Sequence, residues 1–233
     1  MLFSSILLLP LLLLNLSFSA PVPDYAVDFT DPLTLDQLFC LDNANYKTII
    51  TRVSGIDGEV DEVGLDNMLL IHNSILVTMR TAVYLTPQVN TTNGAAQINK
   101  LYRRMYDEGI HEQFLYIQVT KASVPWSSNT SSNIALINSL ITHAHLKNFI
   151  FGILTSHSDW AAITKNAKTL AYPTNLWYSN VYGPGVTGES QQNFGDYVAY
   201  GPWSKTSVVY KQFAIGEVVC GLNVNRNVYG WGL

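Results

Sequence analysis

Charged residues are scarce in this chain of 233 residues. Lysine and arginine number 13 and aspartate and glutamate 17, which leaves a net charge of −4 without any run of basic residues. Nucleic-acid binding depends on a basic surface that neutralises phosphates, and charge-driven attack on bacterial membranes depends on a cationic one. We therefore predict that neither a nucleic acid nor a membrane is a partner.

Cysteine is also scarce, because Cys40 and Cys220 are the only two. In an oxidising compartment they most simply form a disulfide with each other, and two free thiols are the alternative. The bridge would join the first predicted helix to the last predicted strand. It would close a loop of about 180 residues, a length at which chain entropy stabilises strongly.

The motifs of metal and cofactor sites are missing or incomplete. The chain has no His-Glu-x-x-His helix and no multi-cysteine zinc pattern, and His143 and His145 would point to different sides of one helix. Residues 183–188, GPGVTG, have the spacing of a dinucleotide fingerprint. However, no long helix begins there and no acidic residue stands about 20 residues further on to hold a ribose. We predict a plain loop at this position, no metal and no cofactor.

Long apolar runs are absent except at the start of the chain. Residues 1–19 combine an apolar stretch with small residues at Ser17 and Ser19, which is typical of a secretory signal peptide cleaved after Ser19. A signal anchor that stays in the membrane is the alternative, but the stretch is short and Pro10 interrupts it. Residues 20–233 then form one domain of barrel size.

Two N-glycosylation acceptor sequences agree with export. They are Asn90-Thr-Thr and Asn129-Thr-Ser, and both stand in polar stretches that we expect to be exposed. We therefore predict a secreted, extracellular glycoprotein, and we expect it to be a monomer.

Strand and helix signals alternate over the first two thirds of the chain. The pattern predicts eight strands, with five helices confined to the first five connections, and hence an α/β fold: a single TIM-like β/α barrel whose last three strands lack covering helices. Thr34-x-x-Gln37 is typical of a capping box at the first helix, and Ser131 or Ser132 is expected to cap the fourth. The predicted strands are 25–29, 47–53, 81–85, 114–119, 149–154, 176–181, 208–213 and 218–224.

Acidic residues are sparse at the carboxyl ends of these strands, where a β/α barrel carries its chemistry. Asp28 ends the first strand, whereas the fourth ends in Gln118 and Thr120, whose side chains leave the same face. Glycoside hydrolysis usually needs two carboxyl groups around one bond, and spacing alone nominates no pair. Four further acids stand in the loops that follow strands: Asp57, Glu59, Asp159 and Glu189.

Aromatic residues are common at the same ends. Sugar rings stack on such side chains, so we predict a saccharide groove, with ordinary packing as the alternative for each residue. The candidates for substrate binding are Tyr84, Trp126, Trp177 and Tyr178, with Tyr182 and Trp203 nearby.

Five segments together resemble one known family, the nematode and protist-type lysozyme-like branch of glycoside hydrolase family 25. They are residues 25–28, 114–120, 176–189, 194–203 and 208–229. The resemblance implies a flattened barrel of eight strands and five helices. Active members of the family cleave the linkage from muramic acid to glucosamine in bacterial peptidoglycan. The resemblance therefore implies that the partner is bacterial cell-wall peptidoglycan or a related amino-sugar polymer. It also implies a role in antibacterial defence.

The resemblance further implies four acidic site residues, of which this chain retains one. Asp28 matches the first acid, whereas Gln118 and Thr120 stand at the Asp and Glu of an Asp-x-Glu motif, and Asn225 stands at the last Asp. The Glu protonates the leaving oxygen, which a threonine hydroxyl cannot do near neutral pH. No sequence neighbour of Asp28 is expected to raise its pKa.

We therefore expect weak or absent muramidase activity by the standard route. Two alternatives remain open from the sequence. One is an active hydrolase that uses Asp28 with a loop acid such as Asp57, Glu59 or Glu189. The other is a non-catalytic carbohydrate-binding protein, because amide and hydroxyl groups hydrogen-bond well to sugars.

Overall fold

The computed structural model describes residues 23–122 and 124–230. The predicted signal peptide, residues 1–19, lies outside them. Within the described residues, no helix has both the length and the apolar character that crossing a membrane requires.

Eight strands close into one barrel in chain order, as the alternating pattern predicts. Strands β1 to β7 run parallel to their neighbours, whereas β8 pairs antiparallel with both β7 and β1 and closes the barrel. The strands are β1 (Asp24–Phe29), β2 (Tyr46–Ser54), β3 (Arg80–Leu85), β4 (Phe114–Gln118), β5 (Ile150–Thr155), β6 (Asn175–Ser179), β7 (Val208–Val219) and β8 (Leu222–Tyr229).

Five α-helices lie in the first five connections of the described chain, also as predicted. They are α1 (Leu35–Asn43), α2 (Glu62–Asn73), α3 (Gly94–Asp107), α4 (Thr130–Leu146) and α5 (His157–Thr164). The Thr34–Gln37 capping box is present at α1. The cap predicted for α4 is wrong, because the side-chain Oδ1 of Asn129 accepts the backbone N–H groups of Ser131 and Ser132, and both serines lie inside the first turn.

The alternation of side chains along each strand produces two apolar layers. One layer fills the space between the barrel and its helices. The other fills the barrel interior with aromatic rings, where Tyr116 and Trp177 meet edge to face at 5.4 Å and Tyr84 meets Trp177 in the same way at 6.1 Å. This solid interior forms the floor beneath the carboxyl ends of the strands.

An aromatic loop, and not a helix, covers β6 and β7. Between these strands the described chain has only two short 3₁₀ turns, Val186–Gly188 and Lys205–Ser207, so residues 183–188 form the predicted loop. Trp203 packs against Trp160 of α5 at 4.7 Å and takes the place of a covering helix.

Cys40 and Cys220 form the predicted disulfide, with 180 residues between them in sequence. The prediction that it joins a helix to the last strand is wrong in one detail. β7 continues to Val219 and β8 begins at Leu222, so Cys220 lies in the tight turn between them. The disulfide therefore ties α1 to the end of the closing hairpin.

Candidate functional site

Asp28 lies at the carboxyl end of β1, is 2 % exposed, and accepts hydrogen bonds from three side-chain amides. Asn227 and Gln212 donate to its Oδ1 over 2.7 and 3.1 Å, and Asn225 donates to its Oδ2 over 2.8 Å. Antiparallel pairing of β1 with β8 places Asn225 directly opposite Asp28, and the β7–β8 register places Gln212 opposite Asn227. The closing hairpin thus supplies every amide that holds this carboxyl group.

The three amides are themselves held in one orientation. The indole N–H of Trp177 donates to the Asn227 oxygen over 2.7 Å, and the Ser179 hydroxyl donates to the Gln212 oxygen over 3.0 Å. The oxygen of the third amide, Asn225, accepts the backbone N–H of Gly216 over 3.1 Å. Because each oxygen is engaged elsewhere, each NH₂ group points at Asp28.

Burial raises the pKa of Asp28 to about 6 despite these hydrogen bonds, each of which lowers it. The neighbours of Asp28 in the chain, which alone could be judged from the sequence, did not predict this rise. The desolvation comes from burial, to which strands from the other end of the sequence contribute. Asp28 is therefore partly protonated near neutral pH.

The raised pKa predicts that stability falls as the pH rises. Below about pH 4 the carboxyl is protonated in both the folded and the unfolded state. Between about pH 4 and 6 only the folded state keeps the proton, so the free energy of unfolding decreases by about 3 kcal/mol. Urea unfolding of the wild type and of Asp28→Asn at pH 4, 5, 6 and 7 should show this loss in the difference between the two proteins. Parallel curves for the two proteins would contradict it.

Asp28, Gln118, Thr120 and Asn225 line one cavity of about 640 Å³ at the carboxyl ends of the strands. The structure thus brings together all four positions that the sequence nominated. We refer to this cavity as the cleft. Its size is that of a site for a small ligand or for a short stretch of a polymer.

Gln118 and Thr120 line the cleft at the end of β4. The side-chain Oε1 of Gln118 accepts the Thr86 hydroxyl over 2.7 Å, which leaves the side-chain nitrogen as the end that can donate to a ligand. The Thr120 hydroxyl is buried and has no hydrogen-bond partner among the described residues. Neither side chain can deliver a proton to a leaving group near neutral pH.

The four aromatic candidates have different environments. Tyr84 lines the cleft. Trp177 is 0 % exposed inside the barrel, so it offers no ring face to a sugar, and the stacking role predicted for it is wrong. Trp126 supports the loop after β4 by donating its indole N–H to the Thr120 carbonyl over 3.2 Å, and Tyr178 points into a neighbouring cavity.

Three of the loop acids nominated from the sequence do not line the cleft. Asp57 caps its own turn by accepting the Glu59 backbone N–H, Glu59 pairs with Lys100, and Glu189 pairs with Arg226 over 2.8 Å. The acid that does line it is Asp159, in the first turn of α5.

Sequence reasoning missed Arg52, Asn227 and Gln212. Arg52 lines the cleft, and its Nε lies 2.8 Å from Asp61. The period-2 alternation of β2 turns Ile50 into the barrel interior and would also have turned Arg52 inward. Asn227 and Gln212 gave no such signal, because their role depends on the hairpin register.

A closed barrel of eight strands and five helices, with a polar cleft over the carboxyl ends of its strands, is the fold of the family 25 glycoside hydrolases. The chain belongs to the lysozyme-like proteins of glycoside hydrolase family 25. The model of the family described as Lysozyme-like protein 1 matches residues 20–213.

Individual relatives agree with this assignment. Lysozyme-like protein 7 of Caenorhabditis elegans is 36 % identical over 206 residues, which cover 88 % of this chain and 71 % of that protein. A probable family 25 lysozyme of Dictyostelium discoideum is 26 % identical over 207 residues, covering 87 % of this chain and 89 % of the relative. The solved family 25 lysozyme from Aspergillus fumigatus shares the fold, with a TM-score of 0.64 at 10 % identity over 90 % of this chain and 94 % of that one.

Proposed function

We propose that this protein is a secreted, peptidoglycan-binding member of the lysozyme-like family that acts in antibacterial defence, and that it hydrolyses the glycan weakly or not at all by the standard route. The observation that carries this proposal is the end of β4, where Gln118 and Thr120 line the cleft with side chains that carry no carboxyl group.

The loss of hydrolysis follows from the missing acid. Cleavage of a glycosidic bond requires a proton on the leaving oxygen, and general acid–base help is typically worth about 10²–10⁴-fold. Asp28 is the carboxyl group that remains at the expected positions. Both of its oxygens accept amide hydrogen bonds, and 2 % of the residue is exposed, so it is poorly placed to protonate a leaving group.

The retained binding follows from the lining of the cleft. Hydroxyls and amides are good partners for sugar hydroxyl and acetamido groups, and Tyr84 lines the cleft although it is 6 % exposed. Arg52 adds a cation whose Nε is held by Asp61. A muramic acid that carries no peptide would offer this cation a free lactyl carboxylate.

Export and defence rest on features of the chain outside the cleft. The predicted signal peptide, the two glycosylation sequences and the disulfide all favour an oxidising, extracellular compartment. A peptidoglycan-binding protein released at the gut or body surface would meet bacteria there.

Sedimentation with insoluble peptidoglycan tests the binding. The wild type should be retained, and Gln118→Ala should need roughly tenfold more peptidoglycan for half-retention, the effect of about one lost hydrogen bond. Gln113→Ala is the matched control, because Gln113 precedes the same strand at the opposite end of the barrel. Equal retention of the two variants would contradict the assigned cleft.

Release of reducing ends in the same samples, at pH 5 and pH 7, tests the lack of hydrolysis. The wild type should release no more than Asp28→Asn does. Release that disappears in Asp28→Asn would favour the second candidate function, a true hydrolase. That function is favoured by one observation: Asp28, with its pKa of about 6, and Asp159 line the same cleft.

A further inference from the structure

A second cavity opens beside the cleft, between α5 and the loop that covers β6 and β7. We call it the side chamber; its volume is about 330 Å³. It shares Ser156, Ser158, Ser179 and Asn180 with the cleft. The binding space at this end of the barrel is therefore branched. The remaining residues of the side chamber are His157, Tyr178, Asp196, Tyr197, Val198 and Tyr200.

Three tyrosine rings form part of the chamber wall. The rings of Tyr178 and Tyr197 lie 5.2 Å apart and those of Tyr197 and Tyr200 lie 6.1 Å apart. All three hydroxyls are used within the protein, since Tyr178 donates to Asp196 and the other two donate to backbone carbonyls. Tyr178 and Tyr200 are buried and Tyr197 is only partly buried, so the ring of Tyr197 is the one that a ligand would contact.

Buried Lys211 neutralises the carboxylate of Asp196 in the chamber wall. Lys211 is fully buried and places its Nζ 2.6 Å from Asp196, which also accepts hydrogen bonds from Tyr178 and Asn180. These donors hold the pKa of Asp196 below its usual value, although burial alone would raise it. The ion pair therefore fixes the wall and leaves the chamber without an unpaired charge of its own.

We propose that the side chamber binds the short peptide carried by the muramic acid residues of peptidoglycan, while the glycan strand lies in the cleft. This inference rests on the proposed function and adds to it the part of the polymer that is recognised. A branched polymer requires a branched site when both its parts are bound. The ring of Tyr197, the exposed side chain of Val198 and the serine residues of the wall match a small apolar side chain and its peptide groups.

Two ligands test this assignment, and they differ in whether the lactyl carboxyl group is free or bears the peptide. One is the disaccharide in which N-acetylglucosamine precedes N-acetylmuramic acid, and the other is the same disaccharide bearing alanyl-isoglutamine. Neither contains the linkage from muramic acid to glucosamine, so neither is consumed. Calorimetric titration of the wild type should show roughly tenfold tighter binding of the branched ligand, the gain from about one buried apolar contact.

Variants of the chamber should remove that preference without weakening the bare disaccharide. Tyr197→Ala deletes a wall ring, and Val198→Trp fills the mouth at a position that is 78 % exposed, where folding tolerates the change. Tyr106→Ala is the control, because it removes an exposed ring of α3 outside both cavities.

Three results would overturn the inference. If the wild type binds both ligands equally, the chamber does not bind the peptide, although the cleft still binds the glycan. If the chamber variants weaken both ligands alike, these residues belong to the glycan site. If neither ligand binds, the proposed function fails and the chamber assignment fails with it.

Discussion

Replacing Cys40 and Cys220 together by serine should lower the free energy of unfolding by up to about 5 kcal/mol. The disulfide closes a loop of 180 residues, and the loss of chain entropy that it imposes on the unfolded state grows with loop length. The tie also holds α1 to the turn of the β7–β8 hairpin. Because that hairpin supplies the amides around Asp28, we expect the variant to unfold locally at the cleft before the rest of the barrel unfolds.

The midpoint of thermal unfolding should fall by about 10–20 °C in the double variant, the shift that a domain of this size shows for such a change. Reductant should lower the midpoint of the wild type to a similar value and leave that of the double variant unchanged. A double variant that unfolds at the wild-type temperature would show that the folded hairpin does not depend on the bridge.

The fold could be predicted from the sequence because its signals are local. Each α/β unit has an apolar strand followed by a capped helix with one apolar face. In the described chain no α-helix follows residue 165, and the sequence shows this as a stretch rich in glycine, proline and aromatic residues. Details that depend on competition between neighbours could not be predicted. Asn129 displaced Ser131 and Ser132 as a cap because one side-chain oxygen reaches both N–H groups. The predicted eighth strand, 218–224, was misplaced across the turn between β7 and β8, because apolar residues stand on both sides of Cys220 and Gly221.

The sequence predicted several of the residues that form the site, but not their pKa values or their orientation. Strand ends located Asp28, Gln118 and Thr120, and the family resemblance added Asn225. The pKa of Asp28 and the orientation of its amide partners were not predictable, because they depend on contacts such as that between Asp28 and Asn227, 199 residues apart. Trp177 was misassigned for a related reason. A strand-end aromatic can face the cleft or the barrel interior, and the register decides which.

Restoring the acidic pair should create hydrolytic activity. In Gln118→Asp/Thr120→Glu both new carboxyl groups extend into the cleft that contains Asp28. The glutamate can protonate the leaving oxygen, and its burial will favour the protonated form that this step needs. We expect release of reducing ends from peptidoglycan to rise by about 10²–10⁴-fold over the wild type, the usual contribution of a positioned general acid.

The matched control for the gain of activity is Gln118→Asp/Thr120→Gln, in which an amide of the same size as the glutamate carries no transferable proton. It should bind peptidoglycan as the acidic variant does and release no more reducing ends than the wild type. The activity of the acidic variant should also decline as the pH rises through the pKa of the new glutamate, because the general acid is then deprotonated. If both variants fold and bind but release reducing ends equally slowly, the presence of Gln118 and Thr120 in place of acids does not explain the lack of hydrolysis. The cause would then lie in the amide ring around Asp28, where Asn225 stands at the remaining acid position.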